Sequence, residues 1–457
     1  MTTSSLKQTA TQGAIWTILG YGVGQGTRLA GNLVLTRLLV PEFFGLMAFV
    51  TTITMGISLF SDYGVGQSIV NNPRGDEEDF LNTAWTLQVI RGFQIFFLGL
   101  LLTYPIVHFY KDDRLLLLIP LASLSAALDS FSSTSLHTLQ RRLEVRKLVI
   151  YETIMRVGMM IVLIGLCLWQ PTIWSLAANI VLGAFFYSLG SHFLIPGYRN
   201  RFKLDRTVLK EIQSFGRWIA LASATMFVAD QADRFILAKL LSFEKLGVYT
   251  IAYTLASIPR ELIKTMSDRV IFPAISQQLH LRRYRLRAKL MKQRWIVLLG
   301  LGFFLAVLVC CGDWVILLLY QGRNKNWELY REATWMMPIL CSGIWFSILF
   351  HTTSPALLAI GKAIYSAQSN IARFIVIGGG MPLAFSQFGE LGAIVVIALS
   401  DFPLYVVNLV GLKREKLSCL SQDLICTLFF FVTLTLLLAL RHSLGFGLPI
   451  QELFATK

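Results

Sequence analysis

Polar side chains recur at helical spacing inside two strongly apolar stretches of the sequence. In one stretch they follow one another every three or four residues and so share one helix face: Tyr249, Tyr253, Ser257, Arg260, Lys264 and Asp268. The other stretch carries Thr51, Thr54, Ser58 and Asp62. A polar face within an apolar segment needs water or a polar partner, so the pattern predicts two stripes that line one cavity.

The basic residues of these and neighbouring apolar segments suit the binding of an anion. Guanidinium groups form paired hydrogen bonds with phosphate, so a pyrophosphate or an acidic sugar is the expected ligand. The predicted substrate-binding residues are Arg28, Arg91, Arg260, Lys264, Arg373, Tyr249 and Tyr253. The predicted sites of proton or sodium coupling are Asp62, Asp129 and Asp401. The alternative is a buried salt-bridge network that only locks the fold together.

Two further pairs of opposite charge are spaced for contact within one helix. Glu152 with Arg156, and Asp230 with Arg234, stand at i and i+4, where side chains of one helix face meet. We interpret both as structural ion pairs.

The elements that position these residues are membrane helices. The chain of 457 residues is 55% hydrophobic and 15% charged, with a mean hydropathy of +0.61, which is too apolar for a soluble core. Stretches long enough to cross a bilayer lie near 13–36, 44–69, 80–109, 115–137, 148–169, 172–195, 214–237, 246–268, 295–320, 333–358, 363–385, 390–411 and 420–440. The sequence therefore predicts an all-α polytopic membrane protein with about thirteen spans.

An internal repeat divides these spans. The segments Thr36–Val50 and Ala238–Ala252 superimpose at an offset of 202 residues, and each joins two spans. Six spans separate the copies, which predicts two pseudo-symmetric six-helix bundles in parallel orientation, a transporter architecture that works by alternating access. The expected division is an N-terminal lobe at 1–200, a C-terminal lobe at 201–412, and an extra helix with a short tail at 413–457.

Many of the basic residues that give the chain its formal net charge of +15 lie in short loops. The richest basic segments are Arg141–Lys147, Arg199–Lys210, Arg282–Arg294 and Lys413–Lys416, and all lie on one side of the predicted topology. Because basic loops stay in the cytoplasm, we expect a cytoplasmic N-terminus and contact with membrane lipids. This placement argues against a nucleic-acid partner.

Three segments carry a family resemblance: Leu35–Gly45, Asp233–Tyr253 and Pro259–Pro273. In them the chain resembles the Wzx-like oligosaccharide flippases of the MOP superfamily, which includes the MATE exporters. The resemblance implies a MATE/MOP-like fold in the bacterial inner membrane, and a cationic cavity to which Arg28 and Arg260 would belong. It also implies transfer of a polyprenyl-diphosphate-linked oligosaccharide to the outer leaflet for O-antigen, exopolysaccharide or capsule assembly, with polysaccharide polymerase or export machinery as partners.

Three other functions compete with this interpretation. A multidrug or small-molecule exporter of the same fold would be expected to have an acidic cavity. A membrane enzyme such as a polymerase or ligase would need a catalytic set, yet the six histidines are scattered and no metal, cofactor or ATP motif occurs. A scaffold would leave the polar stripes unexplained. We therefore expect a transporter without a cofactor.

Overall fold

The structure, a computed structural model, describes residues 3–61, 63–142, 144–267, 271–276, 278, 281–321 and 327–451. Within these ranges the chain forms helices and no strand. The α-helices are α1 (Thr3–Leu38), α2 (Pro41–Phe60), α3 (Val65–Asn71), α4 (Glu78–Tyr110), α5 (Leu115–Asp129), α6 (Ser135–Arg141), α7 (Val145–Trp169), α8 (Ile173–Ser191), α9 (Arg206–Leu240), α10 (Phe243–Ala256), α11 (Ile258–Met266), α12 (Phe272–Ser276), α13 (Arg283–Cys310), α14 (Gly312–Ile316), α15 (Trp327–Tyr330), α16 (Ala333–Ala359), α17 (Ile364–Ile375), α18 (Met381–Leu399), α19 (Asp401–Arg414) and α20 (Leu420–Ser443). Two π-helical turns lie at Leu317–Gln321 and Val376–Gly380.

The all-α membrane architecture is confirmed. Each of the thirteen predicted spans falls on helical segments, and eight helical stretches of the described chain are long and apolar enough to cross a membrane. One of the eight, Ile364–Arg414, contains two of the predicted spans, and α5 is apolar but shorter than a span. The number of crossings and the bundle arrangement stay predictions.

The chain divides into two compact units, Met1–Val228 and Ala229–Lys457. The helix ends keep the offset of the sequence repeat: α1 and α9 end at Leu38 and Leu240, and α2 and α10 begin at Pro41 and Phe243. Both copies are therefore tight helix–turn–helix junctions. The predicted lobes at 1–200 and 201–412 and the extra segment at 413–457 stay a prediction, and α20 is part of the second unit.

Several predicted spans are each divided into two helices. The stretch 44–69 ends as α2 at Phe60 and restarts as α3 after Gly64, whose φ of 63° suits glycine. In the second unit, α10 meets α11 at Ser257, and α18 meets α19 at Ser400. Pro259 and Pro403 lie in the first turns of the following helices, where proline is tolerated because a first-turn N–H has no partner within its own helix.

Small residues bring helices of the first unit into close contact. α1 packs along α7, and a Cβ added to Gly20, Gly24 or Gly31 would clash with a side chain of α7. Such spacing of small residues is typical of helix contacts in membranes, where packing replaces the hydrophobic drive.

A buried helix organises the second unit. α16 is buried along most of its length and contacts α10, α11, α13, α18 and α19. Two of these neighbours, α11 and α19, carry Arg260, Lys264 and Asp401, so α16 forms the frame that fixes the positions of these three residues.

Candidate functional site

Arg260, a predicted substrate-binding residue, is the centre of a buried polar cluster in the second unit. Its guanidinium on α11 forms an ion pair with the Asp401 carboxylate on α19. Arg260 Nη1 also donates to the Tyr253 hydroxyl at 2.7 Å, and Nε donates to the Ser347 hydroxyl at 3.2 Å. Three helices besides its own, α10, α16 and α19, therefore hold this side chain.

A second arginine extends the cluster. Arg373 Nη1 on α17 donates to Asp230 Oδ1 on α9 at 2.8 Å, and its Nε lies 3.3 Å from Asp401 Oδ1. Asp401 thus bridges two guanidinium groups. The structure gives Asp230 a partner other than the predicted Arg234, because packing of α9 beside α17 brings a cation from 143 residues along the chain.

Tyr249 and Tyr253 occupy the predicted face of α10 with different partners. The Tyr249 hydroxyl donates to Asp233 Oδ2 at 2.5 Å, and both groups are buried. The two tyrosine rings lie 5.6 Å apart between centroids. The hydroxyls of Tyr249 and Tyr253 therefore both have side-chain partners in the same unit, whereas the full predicted stripe stays a prediction.

These contacts close the predicted anion site in this arrangement. Carboxylates neutralise Arg260 and Arg373, and the cavity beside Tyr253, Arg260 and Asp401 has a volume of about 10 Å³. That space holds no more than about one water molecule. Taking these charges out of water is costly, and the ion pairs with Asp401 and Asp230 offset that cost.

Two further predicted residues of the second unit lie on helices that contribute to this cluster. Lys264 is half-buried one turn after Arg260 on α11, and Arg234 is half-buried on α9. Asp268 lies outside the described residues.

The predicted residues of the first unit do not form one cluster with Arg28. Arg28 is exposed on α1, Arg91 Nη2 on α4 donates to the Ser58 carbonyl at 2.8 Å, and Asp129 ends α5. Asp62 lies outside the described residues. The structure thus does not bring Arg28 together with the other predicted cations of its unit.

The i,i+4 pair predicted on α7 includes an arginine that also meets α1. The Arg156 guanidinium lies against Gly24 of α1, where a Cβ would meet it. Arg156 still lies near enough for its charge to act on Glu152, so their pairing along α7 stays a prediction.

A polar cavity of about 540 Å³ lies within the first unit. It is lined by α3, α4, α6, α8 and the segment between α5 and α6, and it is open on one side. Its polar lining includes Gln67, Gln88, Arg91, Asp129, Gln140 and Tyr187. Two predicted residues, Arg91 and Asp129, therefore meet at a site that the sequence pattern did not identify.

Arg141 fixes the short helix that forms one wall of this cavity. Its Nη1 donates to the carbonyls of Ile69, Val70 and Asn72 at 2.6–3.0 Å, and its Nε donates to Asp76. These carbonyls end α3 and lack partners within the helix. A residue that the sequence pattern assigned to topology therefore caps α3.

Sequence reasoning missed two buried ion pairs that hold α20. Arg294 of α13 pairs with Asp423 at 2.8 Å, and Arg441 pairs with Asp313 of α14. Arg294 lies inside a helix and is buried, although the pattern placed it in a basic loop. Asp313 and Asp423 stand within predicted spans. A carboxylate at membrane depth usually has a buried partner, so these two residues could have indicated the ion pairs.

Among the described residues, no group of three or more His, Cys, Asp or Glu side chains lies close enough to hold a metal ion.

Comparison with known proteins identifies a family and several relatives that this chain resembles. The sequence profile of a family described as polysaccharide biosynthesis protein matches residues 34–328. The chain is 22% identical over 293 residues to the succinoglycan biosynthesis transport protein ExoT of Rhizobium meliloti, covering 63% of this chain and 58% of ExoT. It is 23% identical over 274 residues to the lipopolysaccharide biosynthesis protein WzxC of Escherichia coli, covering 60% and 56%. The matches thus span less than two thirds of either relative.

A solved structure shares the fold over nearly the whole chain. The lipid II flippase MurJ in an inward closed conformation aligns with a TM-score of 0.69, covering 95% of this chain and 99% of MurJ at 12% identity. At this identity the likeness concerns the fold alone, and it agrees with the MATE/MOP-like fold that the family resemblance implied.

Proposed function

Because the chain belongs to the polysaccharide biosynthesis protein family, we propose that it is a flippase for a polyprenyl-diphosphate-linked oligosaccharide. It would move this lipid from the inner to the outer leaflet of the bacterial plasma membrane, where the glycan enters O-antigen, exopolysaccharide or capsule assembly. The observation that carries the proposal is the family match across residues 34–328 in a chain with a flippase-like fold. A relative named as a transport protein supports it.

The chemistry of such a substrate fits the buried charges. The polyprenyl chain dissolves in lipid, whereas the diphosphate and the sugars need polar groups at membrane depth. The cluster around Arg260 and the polar cavity of the first unit offer such groups within otherwise apolar helices. Transport also explains the kinked helices, since irregular backbone at membrane depth is tolerated where it lines a polar space.

We assign the diphosphate to the cationic residues of the second unit. Asp401 holds Arg260 and Arg373 in this structure, so the substrate would have to displace it. Protonation or sodium binding at Asp401 would weaken its hold on the arginines and so couple ion movement to substrate binding. Asp62 and Asp129 are the corresponding candidates in the first unit.

The same proposal includes sidedness, partners and the absence of catalysis. The basic loops favour a cytoplasmic N-terminus, and the flipped lipid would pass to a polysaccharide polymerase or to export machinery. The protein would alternately expose a polar site to the two sides of the membrane without changing a covalent bond.

Deletion of the gene in its host tests the proposal. We expect the lipid-linked oligosaccharide to accumulate in the inner leaflet, and surface polysaccharide to fall until the wild-type chain is restored. The Arg260→Ala/Lys264→Ala variant should still insert in the membrane and fail to restore output, with its abundance measured alongside. The control variant Lys413→Ala/Arg414→Ala removes the same amount of charge from exposed positions and should restore surface-polysaccharide output.

The outcomes separate the function from the site. If no lipid-linked oligosaccharide accumulates in the deletion strain, the chain is not its flippase. If accumulation occurs but the Arg260→Ala/Lys264→Ala variant restores normal output, the assignment of the diphosphate site is wrong while the flippase function stands.

A further inference from the structure

We propose that the polar cavity within the first unit binds the carbohydrate portion of the substrate, as an uncharged saccharide and apart from the diphosphate. The inference rests on the proposed flippase function and adds a second subsite to it. The cavity volume of about 540 Å³ lies in the range of about 300–1,000 Å³ that is usual for small-ligand sites.

The hydrogen-bonding groups of the lining favour hydroxyls over phosphate. Gln67 and Gln140 each carry an amide that both donates and accepts, which matches a sugar hydroxyl that does the same, and Gln88 adds its Oε1 as an acceptor. A diphosphate only accepts, so it needs an excess of cationic donors. Among the described lining residues Arg91 is the one arginine or lysine, and the Asp129 carboxylate opposes its charge in the same cavity.

An aromatic side chain completes this pattern. Tyr187 lines the cavity and is half-buried, and its ring centroid lies 5.2 Å from that of Tyr151. The Tyr151 hydroxyl donates to the Tyr187 carbonyl, which ties α7 to α8 at this point. A fixed aromatic ring beside amide groups suits a pyranose, which has apolar C–H faces and polar edges.

The walls of the cavity are held by contacts that do not involve a ligand. Gln88 Nε2 donates to the Ser130 and Ser132 carbonyls, both at 3.0 Å, and so fixes the segment after α5. Arg141 caps α3 on another wall. Gly66 of α3 lies so close to the His137 ring of α6 that a Cβ would meet it. Such preorganisation lowers the cost of binding.

The test measures binding to the purified full chain in lipid nanodiscs by titration calorimetry. The first probe is the lipid-free repeat-unit oligosaccharide obtained by hydrolysis of the host's surface polysaccharide, and the second is inorganic pyrophosphate. Gln67→Leu/Gln140→Leu removes two amides that line the cavity at exposed positions. Gln170→Leu/Gln387→Leu makes the same change at exposed positions outside it.

We expect the oligosaccharide to bind the wild type and the Gln170→Leu/Gln387→Leu control equally. Binding to the Gln67→Leu/Gln140→Leu variant should be about tenfold weaker, the size expected for losing hydrogen bonds to two amides. Pyrophosphate should not compete with the oligosaccharide. The single variant Gln67→Leu should weaken oligosaccharide binding by about threefold. This measurement replaces that of the double variant if the double variant fails to fold.

Equal affinity of the cavity variant and its control would overturn the inference, and so would competition by pyrophosphate that depends on Gln67 and Gln140. A wild type that restores polysaccharide output in the deletion strain but does not bind the oligosaccharide contradicts the cavity assignment alone. A deletion strain without accumulated lipid-linked oligosaccharide contradicts the flippase function, whereas the calorimetry still decides whether the cavity binds saccharide.

Discussion

Asp401 of α19 is the ion-pair partner of Arg260 on α11, and it lies at the junction where α18 gives way to α19. The same carboxylate approaches Arg373. Three helical segments of the second unit therefore depend on one buried acid, which is 2% exposed. Any state that frees Arg260 for a phosphate must first weaken this contact.

Removal of the Asp401 charge should strongly destabilise the second unit. Asp401→Asn leaves buried guanidinium groups without their shared counter-charge, which typically costs about 3–5 kcal/mol. The combined variant with Arg260→Gln should be less destabilised than the sum of the two single variants, because both charges are then absent. Thermal unfolding in detergent measures this coupling. The exposed Asp113→Asn serves as control, and additive single effects would contradict the pairing.

The partner of Asp230 can be identified by the same kind of cycle. Spacing along α9 favours Arg234, whereas the structure places Arg373 Nη1 at 2.8 Å from Asp230 Oδ1. We expect Asp230→Asn to couple to Arg373→Gln by about 1 kcal/mol or more, and to couple less strongly to Arg234→Gln. Double-mutant cycles on unfolding temperature give both values. Stronger coupling to Arg234 would favour the local pair.

The difference between these two partners shows how far the sequence could predict the site. Apolar content located the helices because each needs a long run of apolar residues, whatever its neighbours are. Spacing within one helix likewise placed Tyr249, Tyr253 and Arg260 on one polar face. Spacing carries no information about contacts between helices, so it could not pair Asp230 with a residue 143 positions away.

Helix interruptions were partly readable from the sequence. Pro259 and Pro403 stand within predicted spans, and proline in a helix predicts a kink. Gly64 marks the junction before α3, but a glycine alone does not reveal a positive φ. The cavity of the first unit depends on this junction and on Arg141, whose capping contacts are tertiary. It therefore could not be predicted from periodicity.

Docking of α20 should depend on the ion pair at its end. Arg441 is buried, donates to both Asp313 and the Cys310 carbonyl, and lies 4.5 Å from the Trp314 ring centroid. Arg441→Gln should destabilise the second unit by about 3 kcal/mol, since it leaves Asp313 buried without its counter-charge. The neighbouring exposed His442→Gln should change stability by less than about 0.5 kcal/mol.

Limited proteolysis between α19 and α20, together with thermal unfolding, measures this effect. Faster cleavage near residues 415–419 in the Arg441→Gln variant is expected, because α20 would detach more often. Equal cleavage and stability in the two variants would show that apolar packing of α20 against α13 suffices without the ion pair.

Close approach of α16 and α18 makes Gly343 the most sensitive small residue of the frame behind Arg260. A Cβ at Gly343 would lie 1.7 Å from the Ala398 carbonyl oxygen, which is backbone and cannot rotate away. Gly343→Ala must therefore separate the two helices and shift Asp401, which follows Ala398 by three residues. We expect a loss of about 1–3 kcal/mol or more in stability.

Gly300→Ala on α13 is the matched control, since nothing lies within 4 Å of its added Cβ. Alanine in place of glycine within a helix should stabilise it by up to about 1 kcal/mol. The two substitutions are chemically identical, so opposite shifts in unfolding temperature would isolate the helix contact as the cause. Because the displacement at Gly343 reaches Asp401, this variant should also lose flippase output, whereas Gly300→Ala should retain it. Full stability and output in Gly343→Ala would contradict the packing of α16 against α18 and, with it, the frame that holds Asp401 against Arg260.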